Sequence, residues 1–570
     1  MCLCCNNSNL KEKNEEKQNK NTVNSSINNE NNKSTNNQEI TINIENIIGK
    51  KLSKKELFNY SNNFFNDEKI NEALEINNYI IEKYPKNYFG YLNIGSCYIK
   101  LKKYEEAINY LNIAIKYSPT NYIIYLKKGI ALLNLEKYNE AVETFNKGLF
   151  LNDKNIDLYL NKGVSLNKLK LYKEAIKTFD FGLQLNPNDS SLYNNKGVSY
   201  FRMEQYELSI EMYDKSIELN HNDTFPINNK GISLKHLRRF KEALKCFDNA
   251  IKILPTDYIS YYNKANCLRE IGDYNEALNY YDKTISINKN YSNAYYYKGI
   301  TYNYLEKYNE AIENFSYCLL INPKNENAYL NKGISLDLLG KSEEAIENFN
   351  NALDLNEDFP EAYLNKGISY FNQNLYKDAI ICYKNAISIN ENYYLAYNNL
   401  GVCYFKIGEY DRALKCYSNA ISIENTFLDA YINKGICFKE LNQDLFALNE
   451  FDNAINLNKN FAIAYYNKGV VLSGFDDKEK KEEAIENFDK AILNQNDYVN
   501  AYFNKGKVLM DLGRNDEALN CFIKVKELNN GELETYDIEG KIKNCENKIS
   551  SNKKGNFNEK EEEKLLEIKT

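Results

Sequence analysis

The chain has 570 residues, 43% of them hydrophobic, with only 24 Gly and 7 Pro, and its 72 basic against 79 acidic side chains leave a net charge of −7. That length exceeds what one compact core sustains, so several domains or a repeat array are expected. The charge balance leaves no basic footprint for nucleic acid, no apolar run of about 18 residues is present to span a membrane, and no export signal is read at the start.

Residues 1–53 come first. Up to residue 50 this stretch holds 15 Asn and no hydrophobic period before 40–48, so it reads as an Asn-rich, disordered tail. Asn occurs 93 times in the chain, about one residue in six, which looks like coding bias. Any argument from Asn has to exceed that background. The opening MCLCC sets Cys2, Cys4 and Cys5 apart from the other ten cysteines. Three thiols on a flexible terminus suit S-acylation, and two or more acyl chains make membrane attachment stable where one is marginal. The expectation is a cytoplasmic protein attached to the cytoplasmic face of a membrane through Cys2, Cys4 and Cys5. The alternative is an unmodified or metal-scavenging terminus. The remaining cysteines read as reduced core residues. Two histidines, His221 and His236, leave little for zinc or His-based catalysis. No metal and no cofactor is expected.

From residue 54 to 532 a period takes over. Gly95, Gly129, Gly163, Gly197, Gly231, Gly299, Gly333, Gly367, Gly401, Gly435 and Gly469 share one 34-residue grid, with Ala265 in its only gap. Gly506 follows 37 residues after Gly469, because residues 475–483 carry three extra. Fourteen units result. The fourth place of the unit is Tyr in most (Tyr91, Tyr125, Tyr159), the twentieth is Ala in all but one, where Ser209 stands, and the twenty-fourth is mostly aromatic (Phe145, Phe179, Phe247). Places 4, 8 and 11 share one helical face, and places 20, 24 and 27 share another. Small residues at 8 and 20 let two antiparallel helices approach closely while the aromatics fill the space beside them. Pro85, Pro119, Pro187, Pro255 and Pro323 at place 32 stop the second helix. The first unit, 54–87, is weaker, with Leu57 and Asn77 where aromatics are usual. Residues 533–550 read as a capping helix, and 551–570 as a charged tail.

This pattern resembles the tetratricopeptide-repeat family over roughly residues 54–550. The resemblance implies an all-α fold: an α-solenoid of about fourteen helix–turn–helix hairpins in a right-handed superhelix, 28 helices in all. Each helix of about 13 residues should be near 20 Å long. The first helices of the units are then expected to line a concave groove.

Place 6 of that first helix is Asn in twelve of fourteen units: Asn59, Asn93, Asn161, Asn195, Asn229, Asn263, Asn331, Asn365, Asn399, Asn433, Asn467 and Asn504, with Lys127 and Tyr297 the exceptions. An amide offers two donors and an acceptor and can hold a peptide backbone without reading its side chains. The row is similar to the asparagine ladder in the repeats of the O-linked N-acetylglucosamine transferase family, which implies peptide binding in the groove. Consensus inheritance, or bonds to a neighbouring helix, are the structural alternatives. Place 7 is Lys in eleven units (Lys162, Lys196, Lys230 and others), read either as stems covering apolar surface or as a stripe for acidic partners.

A second mode of the family, the clamp for chaperone tails, needs Lys at place 5, where Leu92, Leu160, Tyr262, Leu364 and Ile432 stand. The clamp is absent. No Gly-rich phosphate loop, HExxH or GxSxG occurs, and 38 residues after the last repeat are too few for a transferase domain. The sequence therefore points to a non-catalytic scaffold for proteins or extended peptides. The alternative is a structural subunit of a larger multiprotein assembly, with an adaptor for a glycosyltransferase or other enzyme acting in trans behind it.

Overall fold

The 34-residue period resolves into two helices and two tight turns. In the computed structural model, residues 52–528 and 537–550 are described. Cys2, Cys4, Cys5 and both tails lie outside these residues. Twenty-eight helices run from Lys54 to Leu528, a further helical segment occupies 538–550, and no strand occurs among the described residues. A typical unit pairs a first helix of 13 residues (Tyr88–Lys100) with a second of 14 (Tyr104–Tyr117).

The first helices start where a short polar side chain precedes them. Asn87, Asn121, Asn155, Asp189, Asp223, Asp257 and Asn325 each accept a backbone N–H of the first helical turn. Such a cap contributes roughly 1 kcal/mol. Later units put Phe359, Tyr393, Phe427, Phe461 and Tyr498 at this position, without a side-chain cap. Those rings pack into the neighbouring core clusters instead.

The turn between the two helices of a unit has a left-handed residue at place 15 whatever the sequence supplies. Lys102 (φ 59°), Glu136 (59°), Lys170 (62°), Glu204 (60°) and Arg238 (57°) adopt it, as do Gly272, Gly340, Gly408 and Gly513. The next N–H then reaches back to close the helix, as from Lys137 to the Leu132 carbonyl at 3.0 Å. At the other turn, residues before proline are pushed into extended backbone (Ser118 φ −145°, ψ 77°). Asn152, with no proline after it, adopts the same conformation (φ −150°, ψ 93°), so packing sets this turn and proline only favours it. The three extra residues near 475–483 lengthen one second helix to 17 residues, Lys478–Asn494, capped by Asp477.

Within a unit the closest contact joins places 8 and 24. A Cβ on Gly163 would lie 2.3 Å from Phe179 Cε1, and one on Gly129 equally close to Phe145. The phenyl edge occupies the volume a side chain would need. In the first unit, Ser61 replaces the glycine and Asn77 the aromatic, and the Asn77 amide donates to Ser61 Oγ (2.6 Å) and to the Ala73 carbonyl (2.7 Å). A hydrogen-bonded polar pair thus stands where the other units use sterics.

The chain divides into two compact units that part at Leu305 and Glu306. In each, a second helix packs on its own first helix and on the next one, and consecutive first helices also touch. At the end of the C-terminal unit, the segment 538–550 adds Ile538 and Cys545 to the cluster of Phe503, Phe522 and Val525.

Candidate peptide-binding groove

Place 6 lies between the tyrosine at place 4 and the place-8 glycine that packs on the ring at place 24, and in the earlier units the first helix is also capped by the side chain before it. The hydroxyl of that tyrosine donates to the carbonyl six residues earlier, as Tyr91 to Pro85 and Tyr125 to Pro119, both at 3.0 Å. The place-6 side chain falls where consecutive first helices approach.

The candidate asparagines divide into two sets. Asn263, Asn331, Asn399 and Asn433 are buried, at 9%, 2%, 0% and 1% exposure. Asn93, Asn161, Asn195, Asn229, Asn365, Asn467 and Asn504 are half-buried, and Asn59 is exposed.

In eight units their bonds follow place 5 of the preceding unit. Where that place is polar, the amide reaches across: Asn229 donates to Asn194 Oδ1 (3.0 Å), Asn263 to Asn228 Oδ1 (3.4 Å), Asn433 to Asn398 Oδ1 (2.9 Å) and Asn504 to the Tyr466 hydroxyl (3.0 Å). Where it is Leu or Ile, the amide folds back on its own helix. Asn161, Asn195, Asn365 and Asn467 donate to the carbonyl four residues earlier, at 2.7–2.9 Å. Asn331, which follows Tyr296, also folds back, to Asn327 at 2.9 Å. Asn93 meets Asn62 at 3.3 Å, and Asn399 accepts from Asn398, also at 3.3 Å. Back-bonding uses one of two amide N–H groups, so the second N–H and the oxygen of Asn161, Asn195, Asn365 and Asn467 have hydrogen-bonding capacity left for a ligand.

Place 7 holds an electrostatic lock that the sequence reading missed. Lys196, Lys264, Lys298 and Lys468 meet Asp180, Asp248, Asp282 and Asp452 at 2.6–2.7 Å, each the residue sixteen earlier, on the preceding second helix. Lys230 meets Asp214 and Lys505 meets Asp489 in the same way. Burial works against the Lys264 charge, but Asp248 and the Tyr280 hydroxyl outweigh it and hold the ammonium above its ordinary range. Lys128, Lys162, Lys332 and Lys366 follow Asn112, Asn146, Ser316 and Asn350 and lack this aspartate, while two other places obey the same logic. Lys434 follows Ser418 and turns to Glu450 (3.0 Å), while Leu400 replaces the lysine where Lys384 occupies the acid's place. The recurring Asp sixteen residues before Lys was the signal available in the sequence.

Of the two exceptions at place 6, Tyr297 packs on Tyr262 (6.0 Å between ring centres) under the Arg269 guanidinium (5.3 Å). Among the described residues no cluster of His, Cys, Asp and Glu is placed to hold a metal ion, and no helix is long and apolar enough to cross a membrane.

Family models described as Tetratricopeptide repeat match residues 190–223, 258–291, 360–393 and 394–427, and further ones 90–121, 499–531 and 126–190. A model described as TPR repeat matches 338–374. No curated protein matches. Among solved structures, the chain is similar to one from the APC/C hetero-tetramer Cut9–Hcn1, at 15% identity and TM-score 0.42, covering 82% of this chain and 99% of that one. It is similar to yeast Tom70 at 18% identity and TM-score 0.36, over 77% of this chain and 96% of that one. MamA matches 28% of this chain and 94% of its own length at 27% identity, with TM-score 0.27.

Proposed function

The chain belongs to the tetratricopeptide-repeat family, and from that premise we propose that it is a non-catalytic scaffold holding extended protein segments along the face formed by its first helices. The observation that carries this reading is the half-buried set of asparagines. Asn161 and Asn195 stand at place 6 of consecutive first helices in one compact unit, and Asn365 and Asn467 stand at the same place three repeats apart in the other, each with an amide N–H and an oxygen to offer. An extended backbone presents donors and acceptors in the same alternation, so amides at regular spacing can hold it without regard to its side chains.

The buried asparagines take a different role. Asn263 and Asn433 bond to the preceding first helix and keep consecutive first helices in register, while Asn399 accepts from Asn398 on its own helix. Replacing Asn161, Asn195, Asn365 and Asn467 by Ala should weaken partner capture severely while helicity is unchanged, each lost bond contributing about 0.5–1.5 kcal/mol. Affinity capture with mass spectrometry reads the result. Retrieval of the same partners in equal yield by the quadruple variant would exclude this face.

A second reading, a permanent subunit of a larger assembly, is favoured by large apolar side chains on second helices. Leu445 (77% exposed), Phe446 (61%) and Leu493 (84%) lie in water in the isolated chain. Co-purification as a salt-resistant complex of fixed stoichiometry distinguishes it from a scaffold that exchanges partners.

A further inference from the structure

The lysine lock is open in two consecutive units of the N-terminal half. Lys196, Lys230, Lys264 and Lys298 all have an aspartate sixteen residues earlier. Lys162 occupies the same place, but the residue sixteen earlier is Asn146; for Lys128 it is Asn112. Neither lysine has a carboxylate within ion-pair distance. Burial is the largest influence on both and pushes their ammonium groups below the ordinary range, with Lys147 adding repulsion at Lys128 and with Glu140 and Glu174 attracting from further away. Two half-buried cations thus stand where the next four units have a matched pair.

Asn146 also lines a cleft. The cleft measures about 560 Å³ and is walled by Pro119, Tyr125, Lys147, Phe150 and Leu151, with Glu143 as the carboxylate on its rim. Phe150 is 91% exposed, more than any other large apolar side chain among the described residues. Its place in neighbouring units is polar: Lys116, Gln184, Glu218 and Lys252. The surroundings are basic as well. Residues 88–187 hold fourteen Lys against nine Asp and Glu, a net +5 within a chain of −7. An exposed aromatic, an open slot beside it and an unmatched cation on the first helix that follows are the parts of a recognition site for one apolar and one acidic group.

We propose that this cleft docks an acidic, extended peptide segment of a partner protein, an apolar side chain of which covers Phe150 between Pro119 and Tyr125 while a neighbouring carboxylate meets Lys162 beside Asn146. The incoming carboxylate takes the place that Asp180 fills for Lys196. Nothing in this arrangement draws on the asparagine ladder, so the two surfaces are separable by mutation.

The probe is a fluorescein-labelled peptide with one phenylalanine among aspartates, and its control has asparagine for every aspartate. Binding to the full chain is followed by fluorescence anisotropy. The wild type is expected to bind the acidic peptide and not the amide control, with affinity falling as salt rises. Asn146→Asp supplies the missing acid within the chain. It should weaken peptide binding about tenfold or more while raising the thermal midpoint, which separates a closed lock from a damaged fold. Lys162→Gln and Phe150→Ser should each weaken binding by a similar factor, and the quadruple alanine variant of the ladder should leave it unchanged. The proposal is overturned if Asn146→Asp binds as wild type does, if the amide control binds equally, or if no binding is seen at about 1 mM peptide. An oligothymidylate that displaces the peptide and binds more tightly than the peptide does would make the surface a nucleic-acid site and overturn it too.

Discussion

At Gly163 an added methyl would meet the Phe179 ring at 2.3 Å, while at Glu136 a full side chain already sits at φ 59°. Gly163→Ala gains about 1 kcal/mol of helix propensity but overpacks the crossing by about 1–3 kcal/mol. Ala265, tolerated opposite the buried Tyr281, shows that the ring can yield, so the net loss should be about 1 kcal/mol in urea unfolding. Glu136→Gly should do the reverse. Relief of a left-handed side chain contributes about 1–2 kcal/mol, offset by the freedom glycine adds to the unfolded chain, for a net gain of about 0.5–1 kcal/mol. Equal effects of the two changes would mean that helix and turn propensities, not the place-8 contact, set stability here.

At the scale of elements, the lock between a second helix and the following first helix distinguishes two kinds of ion pair. The Lys264 side chain is 9% exposed against Asp248, whereas Lys524 and Glu527 on one helix are 44% and 59% exposed. Asp248→Asn leaves a mostly buried ammonium with Tyr280 as its remaining partner, and should cost about 1 kcal/mol, discounted because Asp248 itself is largely in water. Glu527→Gln should be neutral within error. Chemical denaturation of the two variants side by side checks this, and a neutral Asp248→Asn would remove the lock from the list of forces joining units. Place 6 also reads differently once elements are assembled. Its amide partner depends on a residue 35 positions earlier, as with Asn433 and Asn398, so a period alone does not reveal it.

At the scale of the whole molecule, the cysteines give a pH signature. Burial pushes the thiols of Cys97, Cys267, Cys318, Cys403, Cys416 and Cys437 from an ordinary 9.0 up to about 12, and those of Cys382 and Cys521 to about 11. The folded state keeps these protons after the unfolded chain has lost them. Stability from these groups is therefore complete below about pH 9 and falls as pH rises toward 11–12. Denaturation midpoints should drop over that range, and iodoacetamide should label these residues at pH 8 only when denaturant is added. Labelling of the native protein at Cys403 or Cys416 would contradict the packing.

The sequence by itself determined the repeat, the helix pairs and the apolar places, because those follow from a periodic pattern in which every unit solves the same packing problem. Small residues at place 8 and rings at place 24 could be read as one contact before any coordinates, and Gly163 against Phe179 is that contact. The candidate asparagines were legible as a row, but their division into buried and half-buried members was not. Only the tertiary structure decided that Asn433 is held by Asn398 while Asn365 folds back on Glu361, and that a place-7 lysine meets the aspartate sixteen residues before it. It also set the left-handed turn at Lys102 and Glu136, where no glycine announced it. The physical reason is common to these cases. A repeat pattern reports what all units share, whereas hydrogen bonds and ion pairs depend on the individual residue that the next unit brings to the same spot.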